Sequence, residues 1–219
     1  MIPRFRLGMG QSLTYSFVYG RTKITIDSVL VEPSSGNELI VFRFAEPTAG
    51  VWTIRIFAAQ DGGSGEFHMW LPITEFLSSQ TYFLKPDPYV TITDPGIADR
   101  PITVSTYDDL NNSFYVNSGR GYLRNGLVKP DLAAPGVNVS TSLGKRTGSS
   151  IAAAMTAGGV AQFFQWAVIQ QNNPLVESNE IKTYFIRGAS RDSDLVYPNR
   201  EWGYGRLNVA GTFEALAGV

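Results

Sequence analysis

The first ninety residues alternate between short stretches of β-branched or aromatic residues and clusters of turn-forming residues. Five stretches are predicted to be strands: residues 11–19, 22–31, 38–44, 51–58 and 66–71. Gly, Pro, Ser and Asn separate them, as in residues 33–37 and 62–65. Frequent strands without helical periodicity are typical of an antiparallel β-sandwich. The pattern therefore predicts a jelly-roll-like β-sandwich over residues 1–88, with Ile24 and Ile26 on one face of their strand and Trp52, Ile54 and Ile56 on one face of theirs.

A different pattern begins near residue 89. Residues 89–93 and 101–107 are nearly continuous apolar or β-branched runs, which is typical of parallel strands buried on both faces. Residues 132–139 predict a further short strand. Helices are predicted from about Ser149 to Gln170 and from Ser178, as N-cap, to Gly188. We therefore expect a second domain of α/β class over residues 89–219.

The start of the first predicted helix carries candidate chemistry. Residues 147–154 read Thr-Gly-Ser-Ser-Ile-Ala-Ala-Ala, a turn that runs directly into a helix. The Oγ of Ser150 would be exposed there, and the free N–H groups of the first helical turn would point toward a negative charge forming beside it. A serine nucleophile also needs a base within hydrogen-bonding reach. Taken alone, the segment fits a capped buried helix as well.

Two further motifs flank this turn in chain order. Residues 129–137 read Lys-Pro-Asp-Leu-Ala-Ala-Pro-Gly-Val, and residues 202–209 read Trp-Gly-Tyr-Gly-Arg-Leu-Asn-Val. Together the three resemble K-P-D-x-x-A-P-G, G-T-S-x-A-x-P and G-x-G-x-[LIV]-[ND] in the C-terminal part of the subtilisin-like serine proteases. Three ordered motifs are much more specific than one. The resemblance covers about residues 90–216, with Ser149 in place of the family's threonine and Ala154 in place of its proline.

The resemblance implies a serine-type endopeptidase in which Ser150 is the catalytic nucleophile and Gly96, Gly148 and Ser149 bind substrate. Gly96 corresponds to the Pro-Gly turn that helps to form the wall of the family's P1 pocket. We expect the bond before Pro95 to be trans. The implied fold is the C-terminal half of a subtilisin-like parallel-sheet domain preceded by the jelly-roll insertion. It is most similar to the clostridial-type spore-germination subtilases, which implies a secreted or spore- or cell-envelope-associated protein.

The rest of the catalytic machinery has no convincing counterpart. Asp27, His68 and Ser150 stand in the family's chain order, but the first two lie in predicted strands and lack the family's D-[ST]-G and H-G-T contexts. We reject both as catalytic residues. Three asparagines are rejected as the oxyanion-hole residue because they follow the Pro-Gly turn: Asn111, Asn112 and Asn117. The resemblance then implies that the catalytic Asp, His and Asn lie outside this chain, which alone is predicted to be inactive.

Composition restricts the partners. Eighteen basic and nineteen acidic residues give a net charge of −1, so no nucleic-acid partner is expected. The absence of cysteine excludes disulfides, thiolate metal sites and cysteine catalysis. We expect no cofactor, metal site, membrane span or signal peptide. The expected partners are a peptide or protein substrate and the N-terminal half of the same protease. An open sheet edge in half a domain also predicts association into a homo-oligomer.

Two other function classes stay open. One is a non-catalytic interaction protein on a subtilisin scaffold, whose gene would lack an upstream D-[ST]-G or H-G-T motif. The other is a glycan-binding β-sandwich, which would use exposed aromatic side chains; the candidates are Tyr15, Phe17, Tyr19, Trp52 and Trp70. Aromatic residues in alternating strands belong more often to a core than to a binding face, so we interpret this module as structural.

Overall fold

The structure, a computed structural model, describes residues 6–8, 10–16, 21–29, 39–57 and 67–218. The chain divides into two compact units, Met1–Tyr82 and Phe83–Val219. Of the candidate glycan-binding aromatics, Phe17 and Tyr19 lie outside the described residues, as do the predicted turns at 33–37 and 62–65.

The first unit contains a three-stranded antiparallel sheet. Its strands β1 (Ser12–Ser16), β2 (Lys23–Val29) and β3 (Leu39–Ala45) are adjacent in chain order. The register places Ser12 opposite Asp27 and Lys23 opposite Ala45. Ile24 and Ile26 are buried, and the alternating Lys23 and Thr25 are more exposed, which confirms their predicted arrangement on β2.

The two later strands predicted for this unit are wrong where the structure describes them. Residues 51–57 and 67–71 form no strand, and the only helical turn between residues 67 and 82 is a 3-10 turn at Thr74–Phe76. Trp52, Ile54 and Ile56 are exposed. Strand propensity describes a fit to a pleated surface, and a strand forms only where a neighbouring backbone pairs with it. The jelly-roll architecture therefore stays a prediction.

The second unit is built on a mixed sheet. Strand β4 (Val104–Asp108) runs parallel to β6 (Leu132–Pro135) and antiparallel to the short β5 (Ser113–Phe114). The parallel pair confirms the predicted α/β character. Residues 89–93 are not a strand, because Val90 has a φ of 57°, in the left-handed region, and interrupts the extended run.

Three helices complete this unit. The first, α1 (Ser149–Phe164), continues as a π-helical turn over Gln165–Ile169, as predicted to about Gln170. The second, α2 (Ser178–Arg187), also confirms its prediction and ends at Gly188, but its N-cap is Glu177 and not Ser178. The backbone N–H of Glu177 donates to Glu180 Oε2 at 2.9 Å, which completes a capping box. The third, α3 (Val209–Ala217), was not predicted; Asn208 caps it.

The helices and β6 enclose the core of the second unit. Its fully buried members include Leu132, Phe163 and Phe185. Gly159 lets α1 approach α3, since a Cβ at this position would lie 2.7 Å from Val209 Cγ2. By length and composition the helical stretch Ser149–Ile169, with a mean hydropathy of 1.2, could also cross a membrane, a test that the core helix of a soluble domain passes equally.

Candidate active site

The predicted nucleophile turn lies at the start of α1. Gly148 is the N-cap, with a φ of 157° that side chains rarely adopt, and its N–H donates to Gly136 O at 2.8 Å. Ser149 and Ser150 follow as the first two helical residues, and both are exposed. Their N–H groups belong to the first turn, where the helix offers no carbonyl to accept from them. The turn thus presents a hydroxyl beside backbone donors at the positive end of a 16-residue helix.

Gly136 attaches this turn to the sheet. Its N–H donates to Tyr107 O at the end of β4 at 3.1 Å. A Cβ at residue 136 would lie 2.6 Å from Thr106 Cγ2 and 2.9 Å from Gly148 O. Only glycine fits between the sheet and the turn, which gives the Ala-Pro-Gly motif a packing role that the sequence did not reveal.

A β-hairpin connects the sheet to the turn. Its strands are β7 (Val139–Thr141) and β8 (Gly144–Arg146), and both are largely exposed. The base of the hairpin is closed by the N–H of Asn138, which donates to Thr147 Oγ1 at 2.8 Å. Residues 136–148 therefore leave the sheet and return to it at a fixed point next to Ser150.

The Lys-Pro-Asp motif is a buried ion pair. Lys129 is 2% and Asp131 3% exposed, and Lys129 Nζ lies 2.7 Å from Asp131 Oδ2. The ammonium also donates to Pro101 O at 2.8 Å, and the same carboxylate oxygen accepts from Thr103 N at 2.7 Å. Lys182 of α2 approaches the other oxygen, Asp131 Oδ1, at 3.9 Å. The motif fixes the segment before β4 to the segment before β6.

Gly96 is held by the beginning of β4. The hydroxyl of Thr103 donates to Gly96 O at 2.6 Å, and a Cβ on Gly96 would lie 3.1 Å from Thr103 Cγ2. The bond between Asp94 and Pro95 is cis, so the expected trans bond is wrong. Thr103, the residue immediately before β4, and Tyr107 are four residues apart, about 13 Å at ~3.3 Å per residue in an extended chain. The structure thus attaches Gly96 near one end of β4 and the Ser150 turn at the other.

The Gly-Tyr-Gly motif lies along the far edge of β6. Ala133 N donates to Gly205 O at 2.9 Å, and Leu207 N donates to Ala133 O at 2.7 Å. Gly203, with a φ of 55°, passes so close to the chain that a Cβ there would lie 2.3 Å from Pro130 O. This motif is also structural, because it extends the sheet beyond β6.

The buried Tyr107 has an altered acidity. Its ring is 4% exposed and its hydroxyl donates to Asp109 Oδ1 at 3.0 Å. Burial, reinforced by the Asp109 carboxylate, raises the pKa of Tyr107 above its ordinary value. The phenol is a neutral hydrogen-bond donor at the end of β4.

The rejected catalytic candidates make local contacts. Asp27 accepts a hydrogen bond from Ser12 and pairs with Arg43 across the first sheet. His68 is exposed, outside any strand, and stacks on Trp70 with ring centroids 5.6 Å apart. The indole of Trp52 donates to Thr48 O at 3.1 Å. Residues 83–219 contain no histidine.

The three rejected asparagines also have partners within the second unit. Asn111 Oδ1 accepts from Ser113 N at 2.9 Å, Asn112 Oδ1 accepts from Arg206, and Asn117 Nδ2 donates to the Tyr115 hydroxyl at 3.2 Å. In the part of the chain that the structure describes, no group of three or more His, Cys, Asp or Glu side chains could hold a metal ion.

Comparison with known proteins shows which proteins this chain is similar to. The model of the subtilase family matches residues 29–205. The chain is similar in structure to the CspB protease of Clostridium perfringens, with a TM-score of 0.80 and 30% sequence identity. That likeness covers 96% of this chain and 46% of the CspB chain. An uncharacterised protein of Aquifex aeolicus, aq_aa18, is 26% identical over a region covering 50% of this chain and 59% of that protein. The chain thus spans about half the length of the relatives that it matches.

Proposed function

The chain belongs to the subtilase family, and on that premise we propose that it forms part of a serine-type endopeptidase whose nucleophile is the Oγ of Ser150. The observation that carries the proposal is the exposure of Ser150 at the first turn of α1, within a segment whose neighbouring motifs are buried. The turn that carries this hydroxyl is also fixed to the sheet through Gly136 and Gly148. A hydroxyl that served only packing or helix capping would not require this attachment.

The proposed reaction proceeds through an acyl-enzyme. Ser150 Oγ gives its proton to an imidazole and bonds to the carbonyl carbon of the scissile peptide. The C–N bond then breaks, and the imidazolium returns the proton to the departing amine. Water repeats the sequence on the ester, which releases a carboxylate and restores the hydroxyl. The N–H of Ser150 stabilises the oxyanion, Gly148 and Ser149 border the substrate, and Gly96 lines the P1 pocket.

The remaining catalytic groups come, in this proposal, from the N-terminal half of a subtilase domain outside these 219 residues. That half would supply the imidazole, the aspartate that orients it and the second oxyanion donor, an asparagine. The absence of histidine from residues 83–219 supports this assignment, as does the stacking of His68 on Trp70. The chain alone is therefore expected to have negligible peptidase activity.

The first unit is assigned, within the same proposal, to a jelly-roll-like insertion over about residues 1–88. Its antiparallel sheet β1–β2–β3 supports this assignment. The likeness to the CspB protease extends over 96% of the chain and so includes most of this unit, which supports treating the unit as part of the same protease chain.

The test is covalent labelling of Ser150 in a completed domain. The segment of the CspB protease that has no counterpart here would be fused to this chain through a flexible linker, which gives an effective concentration in the ~millimolar range. A fluorophosphonate should then modify Ser150, as identified by mass spectrometry of the peptide that contains it. Ser150→Ala should abolish labelling and Ser149→Ala should preserve it.

The unfused chain is the matched negative control and should take no label. A fused protein that folds and takes no label at Ser150, or takes it at Ser149, would contradict the proposal.

A further inference from the structure

The β7–β8 hairpin carries an isolated pair of positive charges close to the nucleophile turn. Residues 132–176 contain only two charged side chains, Lys145 and Arg146, and these are consecutive. Both belong to β8, which is exposed along its whole length. Ser150 follows Arg146 by four residues. A local excess of positive charge therefore lies in the segment that leads directly into the proposed nucleophile.

Neither charge is neutralised by its neighbours in the hairpin. The register places Ser140 opposite Lys145 and Val139 opposite Arg146, so the facing strand offers no carboxylate. Within the described residues neither cation forms an ion pair. Arg146 Nη1 donates to the adjacent Lys145 O at 3.2 Å, which uses one of the several N–H donors of the guanidinium. Both cations can therefore pair with a carboxylate from another molecule.

The acidic side chains at the end of β4 have other partners. This end of the strand meets the base of the hairpin, because Gly136 N donates to Tyr107 O at 3.1 Å. Asp108 Oδ1 accepts from Leu110 N at 3.0 Å, and Asp109 Oδ1 accepts from the Tyr107 hydroxyl at 3.0 Å. Each of these carboxylates is held within its own loop, and neither forms an ion pair with the hairpin.

The hairpin holds the backbone of the two cations in a fixed position. At its tip, the hydroxyl of Thr141 donates to Gly144 O at 2.6 Å and accepts from Leu143 N at 3.2 Å. At its base, Thr147 Oγ1 accepts from Asn138 N at 2.8 Å. A segment that is ordered before a ligand binds loses less conformational entropy on binding. The order of the hairpin therefore supports a binding role for its charges.

We propose that Lys145 and Arg146 select an acidic side chain in the peptide that Ser150 cleaves. The inference deepens the proposed function and rests on it. The Cα atoms of Arg146 and Ser150 lie at most ~14 Å apart, since four residues of extended chain span ~3.6 Å each. An extended substrate covers the same distance in about four residues. The selected Asp or Glu should therefore lie within about four residues of the scissile bond.

Electrostatic attraction sets the size of the expected preference. A guanidinium can donate two parallel hydrogen bonds to one carboxylate, and an ammonium adds a point charge. Because both cations are exposed, each pair contributes modestly. A peptide with Glu at the selected position should be preferred over the same peptide with Gln by about threefold to tenfold in ~0.1 M salt. The preference should fall in ~1 M salt, where the Debye length shortens from ~10 Å to ~3 Å.

The experiment uses the protein fused to the CspB segment and a panel of internally quenched peptides of about eight residues. The background sequence is uncharged, and each position carries Glu, Gln or Lys in turn. Cleavage gives kcat/KM for each peptide, and fluorescence anisotropy gives its affinity for the fused Ser150→Ala variant. Lys145→Gln/Arg146→Gln should abolish the Glu preference in both assays. Lys145→Glu/Arg146→Glu should reverse it, so that Lys is favoured over Glu at the same position.

Two control variants separate recognition from a general effect of charge. Lys145→Arg/Arg146→Lys keeps both positive charges and should keep the Glu preference. Arg187→Glu changes the net charge by as much as Lys145→Gln/Arg146→Gln does, and should also keep the preference. Arg187 is exposed and belongs to α2, which packs against Phe163, about 20 Å along α1 from the nucleophile at ~1.5 Å per residue.

Three results would overturn the acidic subsite. The first is an equal response to Glu and Gln at every peptide position, and the second is a Glu preference that survives Lys145→Glu/Arg146→Glu. The third is a reversed-charge variant with a much lower urea midpoint and an unchanged peptide preference, which would assign the two charges to pairing with the other half of the domain.

The two proposals fail separately. Glu-dependent binding to the fused Ser150→Ala variant, without fluorophosphonate labelling of Ser150 in the fused protein, would refute the nucleophile and leave the acidic subsite standing. Labelling and cleavage without a Glu preference would do the reverse.

Discussion

Replacing Asp131 by asparagine tests the buried ion pair that fixes the second unit. The substitution preserves size and an oxygen that can accept from Thr103 N, but removes the charge that faces Lys129 at 2.7 Å. Lys129 is 2% exposed and would keep only carbonyl partners, chiefly Pro101 O at 2.8 Å. Removing one partner of a buried pair costs about 3–5 kcal/mol. That is a large part of the ~5–15 kcal/mol by which a typical domain is stable.

The free energy of unfolding of the second unit is the quantity to measure. Urea titration can follow the fluorescence of Trp166 and Trp202, in a background in which Trp52 and Trp70 of the first unit are replaced by phenylalanine. Asp131→Asn should lower the unfolding midpoint strongly. Asp194→Asn, at an exposed position, is the matched control and should change the free energy by less than about 0.5 kcal/mol.

A second substitution makes this prediction sharper. Lys129→Met removes the ammonium that Asp131→Asn leaves buried without a charged partner. Replacing a buried ion pair by apolar groups often changes the stability little. The variant Lys129→Met/Asp131→Asn should therefore be more stable than Asp131→Asn alone, although it carries one more change. The reasoning is refuted if Asp131→Asn unfolds at the wild-type midpoint, or if the double variant is less stable than the single one.

Two further predictions concern the segment that supports the nucleophile turn. Gly136→Ala should destabilise the second unit by about 1–3 kcal/mol through its clash with Thr106, whereas Gly158→Ala, whose Cβ meets no atom within 4 Å, should stabilise it by about 0.4–1 kcal/mol; urea unfolding compares them. Because the folded pKa of Tyr107 is raised, its stabilising contribution is complete below about pH 10 and is lost as the pH rises beyond it. The stability difference between wild type and Tyr107→Phe should therefore be constant up to about pH 9 and shrink from about pH 10 to about pH 12, and a difference that stays constant over this range would argue against the shift.

The elements that the sequence predicted well are those set by local composition. The uninterrupted run of small apolar residues after Ser149 predicts α1, and Gly188 marks the end of α2. The N-cap of α2 was wrong by one residue because Glu177 and Ser178 can both cap, and the reciprocal bond with Glu180 favours Glu177. Helix α3 is short and contains Gly211, yet Asn208 before it was an available signal for a helix start.

The failures arise where a strand depends on a partner outside the local segment. Residues 51–57 and 89–93 have high β propensity and form no ladder. The first lacks a neighbouring backbone in register within the described residues, and the second is broken by the positive φ of Val90. Neither condition can be read from propensity, which ranks residues and not pairings.

At the candidate site, too, the sequence indicates the local structure around a residue but not its distant partners. Of the motifs that indicated a protease, Lys-Pro-Asp and Gly-Tyr-Gly are largely buried in the structure and serve packing, whereas the turn with Ser149 and Ser150 presents hydroxyl groups to solvent. Motif similarity therefore identifies the residues that hold the turn before α1 in place more directly than it identifies the chemistry of that turn, because several residues are needed to fix one short segment. A base and an oxyanion donor act through space, so no local pattern around Ser150 can indicate where they come from.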